Sequence, residues 1–151
     1  MDHDYSPEDI VVSAGRLDVA TSGLMVALAR AVGVSVPELI ALEHLDHDGS
    51  LGPSDLARRL QMTTGAVTAL VDRLERAGYV RREPHPGDRR RVLLKRTRKA
   101  DDDLAEQTSV LVGEILAAAE GLQTGERAAV GGFLDHLTEI VEHTTAEACG
   151  R

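Results

Sequence analysis

The sequence GPSDLARRLQMTTGAVTALVDRLERAGYV occupies residues 52–80 and contains two helix starts separated by a tight turn. Gly52 and Pro53 begin the first helix, because proline is favoured in a first turn, where its missing amide hydrogen is not needed. Thr63 is a good N-cap for the second helix, and Gly78 is a typical helix terminator. One apolar stripe follows the second helix and is formed by Val67, Leu70, Val71 and Leu74. Two short helices joined by a tight turn are therefore predicted.

Two extended runs follow this helix pair and flank a cluster of turn-forming residues. The runs are Tyr79–Glu83 and Arg91–Lys95, and the cluster between them is Pro84–Asp88. Proline, glycine and aspartate favour turns, so a β-hairpin is predicted, with Arg89 and Arg90 at its tip. Helix-turn-helix pairs place their second helix in the major groove of DNA. The hairpin adds a wing, and the whole unit is a winged helix-turn-helix.

Two helices are predicted in the segment before this unit. A first helix is expected over about residues 7–31, where steps of four and three residues place apolar side chains on one face, and Gly33 ends it. Ser35, Pro37 and Glu38 form a second start signal, in which Glu38 completes a capping box with Ser35.

The chain after the hairpin predicts two more helices. Thr97 caps the fifth helix and Thr124 begins the sixth. The predicted apolar seams are Leu104, Leu111, Ile115, Ala118 and Leu122 on the fifth helix, and Val130, Phe133, Leu134, Leu137, Ile140 and Val141 on the sixth. The fold class is therefore mainly α, with six helices and one small β-hairpin wing.

Length and composition narrow the possible classes of protein. The 151 residues suit a single domain, predicted over residues 1–151. Two Tyr, one Phe and no Trp argue against binding of single-stranded nucleic acid by base stacking. The longest run without a charged residue, Leu60–Val71, is too short to span a membrane. A single cysteine fits a reducing compartment, so a cytoplasmic protein is predicted. The predicted winged helix-turn-helix adds the expectation that it is nucleoid-associated.

The charges are distributed unevenly along the chain. The net charge of the whole sequence is −8, which at first argues against a polyanionic partner. Residues 53–100, however, contain thirteen Lys or Arg and five Asp or Glu, a net of +8, and the remainder carries −16. The basic segment coincides with the predicted winged helix-turn-helix, so a surface for nucleic acid is predicted there.

Candidate DNA-contacting residues follow from the place of each segment in this unit. A recognition helix enters the major groove by its N-terminal end, where small hydrogen-bonding side chains fit. The preceding helix and the later turns of the recognition helix meet phosphates, and wing arginines reach the minor groove. The predicted contact residues are Ser54, Arg58, Thr63, Thr64, Gly65, Thr68, Arg73, Arg76, Arg89 and Arg90.

Four segments of the sequence resemble the MarR family of bacterial transcriptional regulators. They are Ser54–Ala57, Thr63–Thr68, Val71–Val80 and Asp88–Arg91. The Asp-x-Arg pattern of that family's wing falls on Asp88 and Arg90, which adds Asp88 to the predicted DNA-binding residues. The resemblance implies a sequence-specific repressor, not an enzyme, which binds a pseudo-palindromic operator in double-stranded DNA as a homodimer. It also implies release by a small-molecule effector, and it implies no cofactor.

The resemblance further implies that DNA binding and dimerisation belong to different segments of the chain. Residues 35–100 would form the DNA-binding lobe, and residues 7–31 and 101–148 would form dimerisation helices. The residues expected at the dimer interface are Ile10, Leu17, Phe133, Leu137, Ile140 and Val141.

Alternative readings of several side chains stay open. The main alternative function is a ligand or metal sensor that acts through protein contacts, and a small helical enzyme is a further class. The candidate sensing groups are the pairs His44 with His47 and His136 with His143, the Asp101–Asp103 cluster, and Cys149. We interpret them as surface histidines, interface-rim histidines, charges that suit a helix N-terminus, and a tail thiol, so no metal or catalytic site is predicted.

Overall fold

The computed structural model describes residues 5–149, with only the backbone described at Arg89 and Cys149. In chain order the elements are α1 (Pro7–Val32), α2 (Val36–His47), α3 (Pro53–Arg59), α4 (Thr64–Arg76), β1 (Val80–His85), β2 (Asp88–Arg96), α5 (Arg98–Glu120) and α6 (Thr124–Cys149). The predicted class, mainly α with a hairpin wing, is confirmed. The ends of the predicted domain, residues 1–4 and 150–151, lie outside the described residues.

The helix boundaries arise from the capping groups that the sequence indicates. The backbone N–H and the hydroxyl of Ser35 both donate to Glu38 Oε2, each at 2.8 Å, which closes the predicted capping box. Thr63 Oγ1 accepts a hydrogen bond of 3.3 Å from the backbone of Ala66 at the start of α4. Gly33 ends α1 in the left-handed region, with φ of 74°.

The hairpin turn is tighter than the sequence predicts. Only Pro86 and Gly87 lie between the two antiparallel strands, whereas the sequence predicts a turn over Pro84–Asp88. Pro84 pairs with Val92 inside the ladder, since a proline without an amide hydrogen is tolerated in a strand that lies at a sheet edge. Arg89 and Arg90 therefore belong to the first residues of β2, next to the tip.

The chain forms two compact units, Met1–Gln107 and Thr108–Arg151. The first unit contains the hydrophobic core. Its largest fully buried side chains come from α2, α3, α4 and the hairpin, and they are Leu39, Leu42, Leu45, Leu56, Val67, Leu70, Val71, Leu74, Val80 and Leu94. The predicted stripe of α4 is thus entirely buried. Leu60, the C-cap residue of α3, is half-buried and packs against this core.

The second unit contains the later turns of α5 and all of α6. None of its residues that the structure describes is buried. Phe133, Ile140 and Val141 of the predicted seam expose 45%, 48% and 57% of their surface, and Leu137 is half-buried. This unit presents an apolar surface that it does not cover itself.

Helix α1 is apolar along most of its length. By length and composition alone it is long and apolar enough to cross a membrane, a property that counting charge-free residues does not reveal. Arg16 and Asp18 lie within it, and charged groups are costly inside a bilayer. Its last turns pack against the core through Met25, Leu28, Ala29 and Val32, so this end of α1 is a core helix.

Candidate nucleic-acid interface

The N-terminal turn of α4 presents small side chains to the solvent. Thr63, Thr64, Gly65 and Thr68 are all exposed, while the opposite face of the helix is buried. The Thr68 hydroxyl donates to the Thr64 carbonyl oxygen at 2.8 Å and keeps its lone pairs free as acceptors. This surface is narrow and can hydrogen-bond, as entry into a major groove requires.

Gly65 has no role in the fold that would explain a glycine. It lies in a helix, where glycine costs about 1 kcal/mol relative to alanine. A Cβ atom at this position would meet nothing within 4 Å, and the backbone is not in the left-handed region. The missing side chain leaves room for close approach from outside the chain.

The turn between α3 and α4 includes Gln61, which sequence reasoning passed over. Its φ of 53° lies in the left-handed region, which is uncommon outside glycine. Two backbone hydrogen bonds close the turn. The N–H of Gln61 donates to the Arg58 carbonyl oxygen at 3.2 Å, and the N–H of Met62 donates to the Ala57 carbonyl oxygen at 3.0 Å. This turn fixes the direction in which α4 leaves α3.

Helix α3 exposes the two residues predicted to contact phosphates. Ser54 is exposed, and 76% of the Arg58 side chain is accessible to solvent. Arg58 Nη2 lies 2.8 Å from Asp55 Oδ1 on the same helix. An exposed pair of this kind is worth little, so Arg58 remains able to reach another anion.

Arg73 joins α4 to α2 through a carboxylate that is nearly buried. Its Nε lies 2.5 Å from Glu38 Oε1, and the Glu38 side chain is only 8% exposed. Burial opposes ionisation of Glu38, but the hydrogen bonds from Ser35 and Arg73 outweigh it and lower the pKa of the carboxyl. Arg73 is half exposed, so it supports the recognition helix from behind and also faces solvent.

Arg82 joins the wing to the recognition helix. Its guanidinium, on β1, lies 2.5 Å from Asp72 and also pairs with Glu75, and both acids are on α4. The hydrogen bond to Asp72 and the two negative charges raise the pKa of Arg82. Sequence reasoning missed this residue, although two acids three apart on a DNA-facing helix are a signal that a cation neutralises them.

The wing tip is organised by two side-chain contacts to the backbone. Asp88 Oδ1 accepts a hydrogen bond of 3.0 Å from the Arg90 amide, and His85 Nδ1 accepts one of 3.1 Å from the Gly87 amide. Asp88 therefore shapes the turn that carries Arg90. The Arg90 side chain is exposed, and the side chain of Arg89 lies outside the described residues.

Most cations of the basic segment are paired with acids. The paired residues are Arg58, Arg59, Arg73, Arg81, Arg82, Lys95, Arg96, Arg98 and Lys99. Several of the acids come from outside residues 53–100, and they are Glu38, Asp46, Asp48, Asp101, Asp102 and Asp103. Among the cations of this segment whose side chains the structure describes, only Arg76, Arg90 and Arg91 form no ion pair. The unpaired charge is thus confined to the end of α4 and to the wing.

The candidate sensing groups have ordinary surroundings, except that the side chain of Cys149 lies outside the described residues. Asp101, Asp102 and Asp103 each pair with a different cation, as expected for charges at the start of α5. Among the side chains that the structure describes, no three from His, Cys, Asp or Glu are placed to hold a metal ion. Burial and the nearby Arg59 lower the pKa of His44, which keeps it neutral near pH 7.

Comparison with known proteins places this arrangement among characterised folds. A family model described as the MarR family matches residues 32–91. The chain is similar to the HTH-type transcriptional regulator YcgE of Bacillus subtilis, with 46% identity over 45% of this chain and 44% of that protein. It is also similar to the HTH-type transcriptional repressor MdtR of B. subtilis, with 31% identity over 71% of this chain and 59% of that protein.

A solved structure extends the similarity over most of the chain. The crystal structure of RV1404 from Mycobacterium tuberculosis matches with a TM-score of 0.64 and 28% identity, covering 92% of this chain and 97% of that one. The chain spans about half the length of the curated relatives that it matches. The family-model match at residues 32–91 covers α2, α3, α4, β1 and the start of β2.

Proposed function

Because the chain belongs to the MarR family of winged helix-turn-helix transcriptional regulators, whose members are not enzymes, we propose that it represses transcription by binding double-stranded DNA. The proposed target is a pseudo-palindromic operator, bound by a homodimer in the cytoplasm. The repressor role is supported by the similarity to MdtR, and the DNA-binding residues are those predicted from the sequence.

The observation that carries the proposal is the coincidence of two features on one surface. The small, exposed side chains Thr64 and Gly65 lie at the N-terminal end of α4, and the unpaired cations Arg76, Arg90 and Arg91 lie at its other end and on the wing. The first set suits base edges in a major groove, and the second suits phosphates and the minor groove. Phosphate contacts would supply affinity, and the helix end would supply specificity.

The homodimer is supported by apolar surface that the chain leaves uncovered. Ile10 and Leu17 on α1 expose 37% and 55% of their surface, and the seam of α6 is exposed in the same way. Exposed apolar area on this scale marks an interaction surface. A two-fold axis would place two recognition helices in successive major grooves, about 34 Å apart.

Release by an effector is supported by a cavity between α1 and α2. It has a volume of about 400 Å³ and is lined by Thr21, Ser22, Met25, Val26, Val36 and Ile40. The lining is mainly apolar, and Thr21 and Ser22 contribute its two hydroxyl groups. We propose a small, mainly aliphatic effector for this cavity, since small molecules usually bind in apolar pockets of this size that contain a few polar groups.

The test is selection of bound fragments from the source genome, followed by gel-shift titration of the selected DNA. We expect the wild-type protein to bind its own promoter region with an affinity that falls steeply with salt. Failure to bind any fragment, its own promoter included, would contradict the proposal and favour a sensor that acts through protein contacts.

A matched pair of variants tests the groove assignment. Thr-Gly occupies the first two positions of both α4 and α6, and a Cβ at Gly65 or Gly125 meets nothing within 4 Å. We expect Gly65→Leu to weaken operator binding at least about tenfold by blocking approach to the bases, and Gly125→Leu to leave it unchanged. Equal binding by the two variants would show that α4 does not enter a groove by this end.

A further inference from the structure

Tyr79 lies where the recognition helix ends and the next elements begin. Its backbone N–H donates to the Leu74 carbonyl oxygen of α4 at 2.9 Å, and its carbonyl oxygen accepts from the Thr97 amide at 3.0 Å. The Thr97 hydroxyl in turn donates to the Gly78 carbonyl oxygen at 2.7 Å. The backbone at Tyr79 therefore ties the C-terminal end of α4 to the start of α5.

The side chain of Tyr79 reaches a third helix. The residue is 7% exposed, and its hydroxyl lies 3.0 Å from the carbonyl oxygen of Val32, at the last residue of α1. The same hydroxyl lies 3.0 Å from Asp103 Oδ2 on α5. Its single proton is donated to one of these two acceptors at a time. One phenol thus links the ends of α1 and α4 with the first turns of α5.

Lys99 holds the second acceptor in place. Its Nζ lies 2.8 Å from Asp103 Oδ2 and 3.8 Å from the centre of the Tyr79 ring, a cation–π distance. The hydrogen bonds from Lys99 and Tyr79 lower the pKa of Asp103, and the bond to Asp103 raises the pKa of Lys99. The acceptor is therefore a carboxylate at neutral pH, and a hydrogen bond to a carboxylate is stronger than one to a neutral group.

The Tyr79 hydroxyl affects the orientation of α4 relative to α1 more than it affects the packing of the core. A phenylalanine would fill the same space in the core, but it would lose the hydrogen bond that ties the end of α1 to the residue that follows α4. Helix α4 has 13 residues and so measures about 20 Å, and a tilt of about 10° at its C-terminal end would move its N-terminal end by about 3.4 Å. That displacement is close to the rise of one base pair, about 3.4 Å.

We propose that Tyr79 is a positioning residue that fixes the angle of the recognition helix relative to α1, and thereby the spacing of operator half-sites that the dimer accepts. The inference rests on the proposed function, because α1 belongs to the proposed dimerisation arms. Tyr79 itself touches no DNA in this scheme. It acts through the position of α4.

The experiment compares half-site spacings. Operator DNA from the genomic selection and a copy with one base pair inserted at its centre are titrated with the wild type and with Tyr79→Phe. We expect the preference of the wild type for the native spacing to fall about fivefold in Tyr79→Phe, the loss of one hydrogen bond. The slope of affinity against salt stays unchanged, because no phosphate contact is lost.

Two neighbouring acids provide the matched controls. Asp103→Ala removes one acceptor of the Tyr79 hydroxyl, and Asp102→Ala removes the same charge one residue away, where the partner is Arg98. Because the hydroxyl proton is then donated to Val32 alone, we expect Asp103→Ala to sharpen the spacing preference and Asp102→Ala to leave it unchanged. If Tyr79→Phe does not fold by circular dichroism, this pair decides the question.

The outcomes separate this inference from the proposed function. Operator binding by the wild type with an unchanged spacing preference in folded Tyr79→Phe overturns the positioning role and leaves the proposed function intact. A loss of thermal stability alone, with the preference retained, assigns Tyr79 to packing and also overturns it. Absence of DNA binding by the wild type contradicts both.

Discussion

The lobe that carries α2, α3, α4 and the wing differs from the terminal helices in how it satisfies its apolar residues. Of the buried apolar side chains, all except Ala29 lie between Leu39 and Leu104. The α6 seam is exposed except at Leu137, which is half-buried, and Ile10 and Leu17 are exposed in the first half of α1. The lobe is specified by contacts within one chain, whereas the terminal helices have a sequence suited to contacts that one chain cannot make.

The largest expected effect is on dimer formation. Its absence would contradict the difference drawn between the lobe and the terminal helices. Val141 is 57% exposed, so a monomer should tolerate an aspartate there. In a dimer the same charge would enter an apolar interface, where an unpaired charge is strongly unfavourable. We expect Val141→Asp to give monomers or aggregates by light scattering and to abolish operator binding.

The control for this substitution is on the opposite side of α6. Ala128 is exposed and lies away from the seam. Ala128→Asp should leave the dimer intact. A dimeric Val141→Asp would show that α6 does not form the interface.

The next effect compares a buried leucine of the lobe with an exposed leucine of a terminal helix. Leu70 is 1% exposed in the lobe and Leu111 is 39% exposed on α5. We expect Leu70→Ala to lower the free energy of unfolding by about 3 kcal/mol at any protein concentration, since a buried leucine leaves a cavity. Leu111→Ala should show a smaller loss that grows as the protein is diluted, because its contacts would be intermolecular. Urea denaturation at two protein concentrations distinguishes the two.

A smaller effect separates two arginines inside the lobe. Arg90 is unpaired and exposed, so Arg90→Ala should weaken operator binding about tenfold and lower the salt slope by about one. Arg82→Ala should weaken binding without changing that slope, because Arg82 neutralises Asp72 and Glu75 instead of a phosphate. We expect Arg89→Ala to behave like Arg90→Ala. Gel shifts at several salt concentrations would contradict the wing assignment if both Arg90→Ala and Arg89→Ala kept the wild-type affinity.

The smallest effect concerns pH. Because the pKa of Glu38 is lowered in the folded protein, its ion pair with Arg73 stabilises the lobe above the unfolded pKa of about 4.3. This contribution is lost as the pH falls through the lower, native pKa. We expect Glu38→Gln to cost about 1 kcal/mol at pH 7 and less at pH 3 in urea denaturation. Glu114→Gln, at an exposed site on α5, should cost little at either pH.

Local signals in the sequence were sufficient for most of the fold. The caps at Ser35 and Thr63, the terminator at Gly33 and the stripe of α4 are each determined by residues a few positions apart, and all are confirmed. The hairpin was predicted, but its turn was placed too widely. Proline favours turns in isolation, whereas here strand pairing accommodates Pro84 at a sheet edge.

The contacts that connect elements were beyond the reach of the sequence. Glu38 was read as a capping residue, yet the same carboxylate also binds Arg73, 35 positions away. Tyr79 gave no signal beyond an apolar residue after a helix terminator. Segment charges were informative about location, but the net +8 of residues 53–100 did not indicate which cations are already neutralised. Such pairings depend on tertiary geometry, which composition does not encode.

The ion pairs around the basic segment also determine how a substitution far from the groove would affect DNA binding. Arg59 is held by Asp48, and Arg96 by Asp46 and Asp101, so acids on neighbouring helices mask cations of the lobe. A substitution at one of these acids frees a positive charge without altering any groove-facing residue. Each freed cation strengthens attraction to all DNA equally, which lengthens the time spent on wrong sites. Residues remote from the groove therefore help to determine how quickly a genome can be searched.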